Sequence, residues 1–278
     1  MEFNKTKLQE FIQKIIVLDT ETTGVDDDSH IIELSLTFPQ DLTTGIDDVV
    51  NYTQRYNPGI PVPPESSAVH FISTEELENC IKYADDLPTI EEMMKMEHIQ
   101  YYVGHNVQFD QRMINENYLK SNSTLPDYLM DNSKWICTLR LAKKLFAEDK
   151  EFANMTLSYL WFKFGLYRSV NRPVNAHAAK DDVYMCLQVL IKLIEVCIER
   201  GHVDPNEDIG TQVCEFVNTP IRYSVMPIGK HKGELMKNVP LNYIEWMIKN
   251  SDVLNEDQPN YDMDFAYTLM SEYNERVN

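Results

Sequence analysis

Asp19-Thr20-Glu21-Thr22-Thr23-Gly24 follows directly on the apolar run Ile15-Ile16-Val17-Leu18. The run is too short for a helix and reads as a buried strand. Strand alternation turns Asp19 and Glu21 to the same side of the chain. Two carboxylates on one side of a strand end repel each other unless a cation lies between them. Hard divalent ions such as Mg2+ or Mn2+ take oxygen ligands of this kind. Gly24 permits a sharp exit from the strand. The stretch therefore suggests half of a metal site.

Working outward, a second strand is expected over residues 31–38, joined to the first by the acidic turn Asp26-Asp27-Asp28, and a third near residues 51–56. Residues 58–64 read as a proline-rich loop. Ser73-Thr74-Glu75-Glu76 has the hydroxyl-then-acid order of a helix start. Residues 99–103 form another strand candidate that runs into Gly104-His105-Asn106, with a helix following over 109–119. Helices are also expected over 135–146, 155–165 and 178–200. The last carries Val183, Leu187, Leu190, Leu193 and Ile194 as one apolar stripe. This alternation after an opening run of strands argues for a mixed α/β domain. The organisation expected is a main domain over residues 1–203, an acidic linker over 204–222 and a small accessory module over 223–278. That module holds the glycine-containing turn Ile228-Gly229-Lys230-His231-Lys232-Gly233 and an acidic tail.

The chain has 278 residues, of which 43% are hydrophobic and 10% aromatic, enough for a sizeable core. No apolar stretch reaches the roughly 18 residues that span a bilayer. The polar N-terminus does not read as a secretory signal. Five dispersed cysteines without CxxC pairing argue for reduced thiols in a cytoplasm-like compartment. The formal net charge of −19 excludes a surface built for general duplex binding. It leaves room for an enzyme that meets a polyanion locally, where bound cations offset the charge.

Two further segments carry chemistry. His105-Asn106-Val107-Gln108-Phe109-Asp110 opens a helix after a strand. Alone, it reads equally well as capping groups and a dipole-favoured acid. His177-Ala178-Ala179-Lys180-Asp181-Asp182 opens the long helix and alone reads equally well as an N-terminal charge cluster. Together with Asp19 and Glu21 these segments supply at least four carboxylates and a histidine beside strand and helix ends. That inventory suits two-metal phosphoryl transfer, with cations about 3.5–4 Å apart and a neutral histidine to take a proton.

The three segments resemble the exonuclease motifs of the DEDDh 3′→5′ exonuclease superfamily (DnaQ-like). Ala68-Val69-His70 followed by Ser73-Thr74-Glu75-Glu76-Leu77 is also similar to that family, with Phe71 where many members carry Gly. Trp135-Ile136-Cys137-Thr138, Leu141 to Leu145, the 228–233 turn and Tyr243-Ile244-Glu245-Trp246 resemble the exodeoxyribonuclease X branch. The resemblance spans roughly residues 13–250. It implies an RNase H-like exonuclease fold, a mixed five-stranded sheet flanked by helices, followed by the small C-terminal module. It also implies two divalent cations, Mg2+ or Mn2+, held by Asp19, Glu21, Asp110 and Asp182, with His177 as general base. Thr22, His70 and Asn106 are implied as substrate contacts, and Asp181 is expected as a solvated helix residue. The implied partner is a DNA 3′ end, single-stranded or duplex, with RNA as the alternative, in repair or nucleic-acid processing, and no membrane. A rival from another class is an idle nucleic-acid-binding or polymerase-associated module. Such a member would be expected to have lost a carboxylate or the histidine, and none is missing.

Overall fold

The computed structural model describes residues 5–40, 49–121, 124–147, 149–170, 174, 178–255 and 261–277. The chain divides into two compact units, Met1–Val217 and Asn218–Asn278.

In the first unit, helix α1 (Lys5–Ile12) precedes strands β1 (Ile15–Thr22), β2 (Ile31–Pro39) and β3 (Val49–Arg55). Short helices α2 (Pro64–His70) and α3 (Thr74–Leu77) and the longer α4 (Tyr83–Met94) lead to β4 (Tyr101–Gly104). Helix α5 (Val107–Lys120), a single turn α6 (Asp127–Met130) and β5 (Trp135–Cys137) follow. Helices α7 (Thr138–Phe146), α8 (Leu157–Lys163), α9 (Ala179–Glu199) and α10 (Ile209–Asn218) complete the order. The sheet runs β3-β2-β1-β4-β5. Strands β1, β2 and β3 pair antiparallel, whereas β4 pairs parallel with both β1 and β5.

The mixed five-stranded sheet is as expected, and β1 lies at its centre. Side-chain alternation gives the strand two dry faces. Val17 points into a core with Val183, Leu187 and Leu190 of α9. Ile16 and Leu18 point the other way, into a core with Met113 and Ile114 of α5. Being buried on both faces is what makes β1 read as a continuous apolar run instead of an alternating one. At α3 the capping box is formed in full, with Ser73 and Glu76 satisfying each other's backbone.

Two expectations are corrected. The helix expected over 135–146 splits into β5 and α7. All three residues of β5 are buried, so the segment shows no alternation and is too short to show any period. The expected linker 204–222 contains α10, whose Ile209, Val213, Cys214 and Val217 join the main core. The preceding acids hide it in composition, yet Asp208 is its cap, accepting from the Thr211 N–H at 2.7 Å.

In the second unit, α11 (Leu241–Asn250) and α12 (Met263–Val277) enclose a small core of Met226, Met236, Val239, Ile244, Met247, Phe265 and Leu269. The 228–233 segment is a hairpin-like turn closed by the Val225–Leu235 bridge. Buried Glu272 is compensated by Arg222, at 2.7 Å, and by Arg276. No helix among the described residues is long and apolar enough to cross a membrane.

Candidate active site

The acids of the opening motif occupy the end of the central strand. Asp19 and Glu21 share the α9 face of β1, and the first turn of α9 brings Asp182 to them. One carboxylate oxygen from each of the three lies within 4.8 Å of the others. Burial pushes the Asp19 carboxyl well above the usual carboxylate range, and Asp110, Asp182 and Glu21 add to the effect. Glu21 is pushed up to about 8, first by burial and then by Asp182 and Glu33. Three acids crowded in one place, with Asp19 and Glu21 resisting ionisation, form an oxygen-only donor set that a hard divalent cation would relieve. The residues present therefore fit the metal that the motif suggests.

Asp110 lies outside that triad. It rises from α5, on the opposite face of the sheet, and its Oδ1 accepts from the Thr20 N–H at 2.9 Å and the Thr20 Oγ1 at 2.8 Å. Burial pushes its carboxyl up to about 7 against the pull of those two bonds. The remaining Oδ2 and the proximity of Asp19 leave it able to support a cation beside the triad.

Of the expected substrate contacts, Thr22 is buried, and its hydroxyl donates to the Gly24 carbonyl at 2.5 Å. The His70 Nδ1 accepts from the Ile72 N–H at 3.1 Å, which places the proton on Nε2. That Nε2 is buried without a hydrogen-bond partner. Burial lowers the His70 pKa, although the Thr22 backbone lies near enough to favour the protonated ring. Helix α2, which carries His70, is tied to the end of β1 by the Ser66 hydroxyl donating to the Thr23 carbonyl at 2.8 Å. Asn106 is exposed at the start of α5, with φ 71°. Asn106 and Phe71 (φ 58°) are the two non-glycine residues with positive φ among those described. Asparagine tolerates that conformation well. Phe71 occupies the position where glycine is the residue the backbone favours.

His177 lies outside the described residues. Asp181, expected in solvent, is buried. Its neighbour Asp182 is the one that joins the triad. His105 is a structural group. Its ring bonds the Thr138 hydroxyl at 2.9 Å and the Met155 carbonyl at 3.0 Å, and burial lowers its pKa to about 4.

One residue escaped the sequence reading. Glu33 on β2 stands directly across from Glu21 in the β1–β2 register and is buried. Its Oε1 accepts from the Ala179 N–H at 3.2 Å, at the first residue of α9. Its Oε2 pairs with the Arg55 Nε at 2.6 Å, and Arg55 continues to Glu76 at 3.1 Å. Glu33 thus ties the start of α9, and Asp182 with it, to the sheet. The available signal was a single acid inside an apolar strand, Ile31-Ile32-Glu33-Leu34, where an unpartnered charge would not be tolerated. Replacing Glu33 by Ala leaves the buried Ala179 N–H unsatisfied and is expected to cost about 2 kcal/mol. Glu33→Gln keeps an acceptor and should recover most of it. Urea unfolding of the three proteins checks this, and equal losses in both variants would contradict it.

A mixed sheet of this order, with acids from its central strand and from the helix above it meeting at one strand end, is the frame of an RNase H-like exonuclease. The chain belongs to the RNase T exonuclease family, whose model, described as an exonuclease, matches residues 16–190. Among curated proteins it is similar to Exodeoxyribonuclease 10 of Escherichia coli strain K12, at 26% identity over 246 residues, covering 87% of this chain and 93% of that protein. It is also similar to the Uncharacterized exonuclease CP81 of Escherichia phage 186, at 27% identity over 184 residues, 63% of this chain and 85% of that one. Among solved structures, Exonuclease X in complex with 5′ overhanging duplex DNA has a TM-score of 0.50 at 22% identity, covering 73% of this chain and 99% of that one. The nuclease domain of 3′hExo, a DEDDh family member bound to rAMP, has a TM-score of 0.52 at 16% identity, covering 65% and 91%. These structural likenesses are likenesses of fold.

Proposed function

We propose that this exonuclease hydrolyses DNA from the 3′ end to 5′-mononucleotides, in repair or nucleic-acid processing, with two divalent cations, Mg2+ or Mn2+. The observation that carries the reading is the convergence of Asp19, Glu21 and Asp182 within 4.8 Å, inside a family of exonucleases. DNA is favoured because the similarity to Exodeoxyribonuclease 10 runs over 87% of this chain, beyond the nuclease core and into the second unit.

Asp19, Glu21 and Asp182 would hold one cation and Asp110, with Asp19, the other. Bound there, the cations would supply an activated water and offset the charge growing on the phosphate oxygens. His177 takes the proton from the attacking water as general base. Thr22 orients the terminal nucleotide. The buried His70 Nε2–H, which lacks a hydrogen-bond partner among the described residues, would donate to a phosphate or sugar oxygen. Asn106, exposed at the start of α5, would contact the 3′ end or the scissile phosphate.

Digestion of matched DNA and RNA oligonucleotides, labelled at the 3′ or the 5′ end, tests the proposal. Mg2+-dependent release of the 3′ label as a mononucleotide from DNA, faster than from RNA, is the expected result. Faster cleavage of RNA would make the protein an exoribonuclease. Loss of the 5′ label first would overturn the direction.

A further inference from the structure

The family match ends at residue 190, so the second unit has no function assigned by it. Within a chain of net charge −19, the stretch Arg222–Asn250 holds five cations (Arg222, Lys230, Lys232, Lys237 and Lys249) against two acids, Glu234 and Glu245. Arg222 is engaged by Glu272 and Glu275. Lys230, Lys232 and Lys249 are exposed and form no ion pair among the described residues.

Lys230 and Lys232 flank His231 in sequence, and His231 belongs to an aromatic row. The Lys230 N–H donates to the Tyr243 Oη at 3.0 Å. A Cβ at Gly229, where φ is +75°, would lie 2.4 Å from that same oxygen, so the turn docks against α11 too closely for any side chain there. The His231 ring stands edge-on to Tyr243 at 4.6 Å, and Tyr243 stacks on Trp246 at 5.8 Å with 27° between the planes. Glu234 steadies His231 through its Nδ1 at 3.0 Å. While α11 buries Ile244 and Met247, its Trp246 is 53% exposed. A large indole left in water at the end of a stacked row is an unused binding surface.

We infer that His231, Tyr243 and Trp246, flanked by Lys230, Lys232 and Lys249, form a binding surface for single-stranded nucleic acid. The chemistry selects that ligand. An open aromatic face accepts unpaired bases of any sequence, and neighbouring ammonium groups take the phosphates. The same lysines repel a cationic ligand and attract a polyanion, against the acidic balance of the rest of the chain. The inference builds on the exonuclease reading: a strand held on the second unit stays at high effective concentration for the first.

The test uses the full chain and dT20 carrying 5′-fluorescein, in EDTA so that no cleavage occurs. Trp246→Ala should weaken binding by about 10-fold in anisotropy, the scale of one lost base stack. Lys230→Gln with Lys232→Gln should lower the log–log salt slope by about 1.4, from two lost phosphate contacts at about 0.7 each. Trp135 and Trp161 are buried, so quenching of intrinsic fluorescence by dT20 should report Trp246 and vanish in Trp246→Ala. In Mg2+, the KM penalty of both variants should be larger for dT20 than for a dinucleotide. Wild-type affinity and salt slope in both variants would overturn the surface even where cleavage is intact. Weakened binding in a chain that cleaves nothing would support the surface and sink the exonuclease reading alone.

Discussion

Replacing Asp19 by Asn is expected to abolish hydrolysis and, in the metal-free protein at pH 8, to raise the melting temperature by about 4 °C. The loss follows from position. Asp19 lies on the central strand beside Asp110, Glu21 and Asp182. Removing it removes the charge stabilisation that a bound cation lends the transition state, worth several kcal/mol or about 10³-fold in rate. The gain in stability comes from the same crowding. In metal-free protein Asp19 is held well above the usual carboxylate range and Glu21 up to about 8. Over the interval from the ordinary value of 4.5 to about 8, the folded protein therefore holds more protons than the unfolded chain. Stability must fall as pH rises through that interval. Removing one acid relieves its neighbours, and 4 °C corresponds to about 1–2 kcal/mol for a unit of this size. Calorimetry in EDTA at pH 5 and pH 8 measures both parts. Wild-type protein should lose stability between the two, recover it when Mg2+ is added, and show a steeper loss than Asp19→Asn. Retained turnover would refute the metal site, and a lower melting temperature at pH 8 would refute the electrostatic account.

His177→Ala is expected to lower kcat by about 10²-fold or more while leaving KM and melting temperature close to wild type. The residue immediately precedes Ala178, the N-cap of α9, five positions ahead of Asp182. A base must be neutral to accept a proton. The wild-type rate should therefore climb as rising pH frees the base of its proton, before reaching a plateau. The variant should lack that climb and regain part of its rate in added imidazole. An unchanged pH–rate profile would remove His177 from the reaction and leave proton uptake to solvent.

The acids themselves were legible as local patterns. Asp19 and Glu21 stand two apart after an apolar run, and strand geometry alone puts them on one side. Asp110 and Asp182 each fall in the first turn of a helix recognisable by its period. The central strands and the long helix were legible for the same reason: burial on a fixed face leaves a repeat in the sequence. β5 was not, because three buried residues carry no period. α10 was misread because its capping acids resembled a solvated linker.

By itself, then, the sequence determined which residues could do the chemistry and on which strand and helix ends they stand. Those are questions of neighbours a few positions apart. Only the tertiary structure decided that Asp182 closes on Asp19 and Glu21 while Asp110 is anchored to Thr20 from the other face of the sheet. It also showed that buried Glu33 holds the start of α9, 146 residues further along the chain. Contacts between segments so far apart leave no periodic trace. They are set by which faces of β1 are covered, and by the need of every buried charge for a partner.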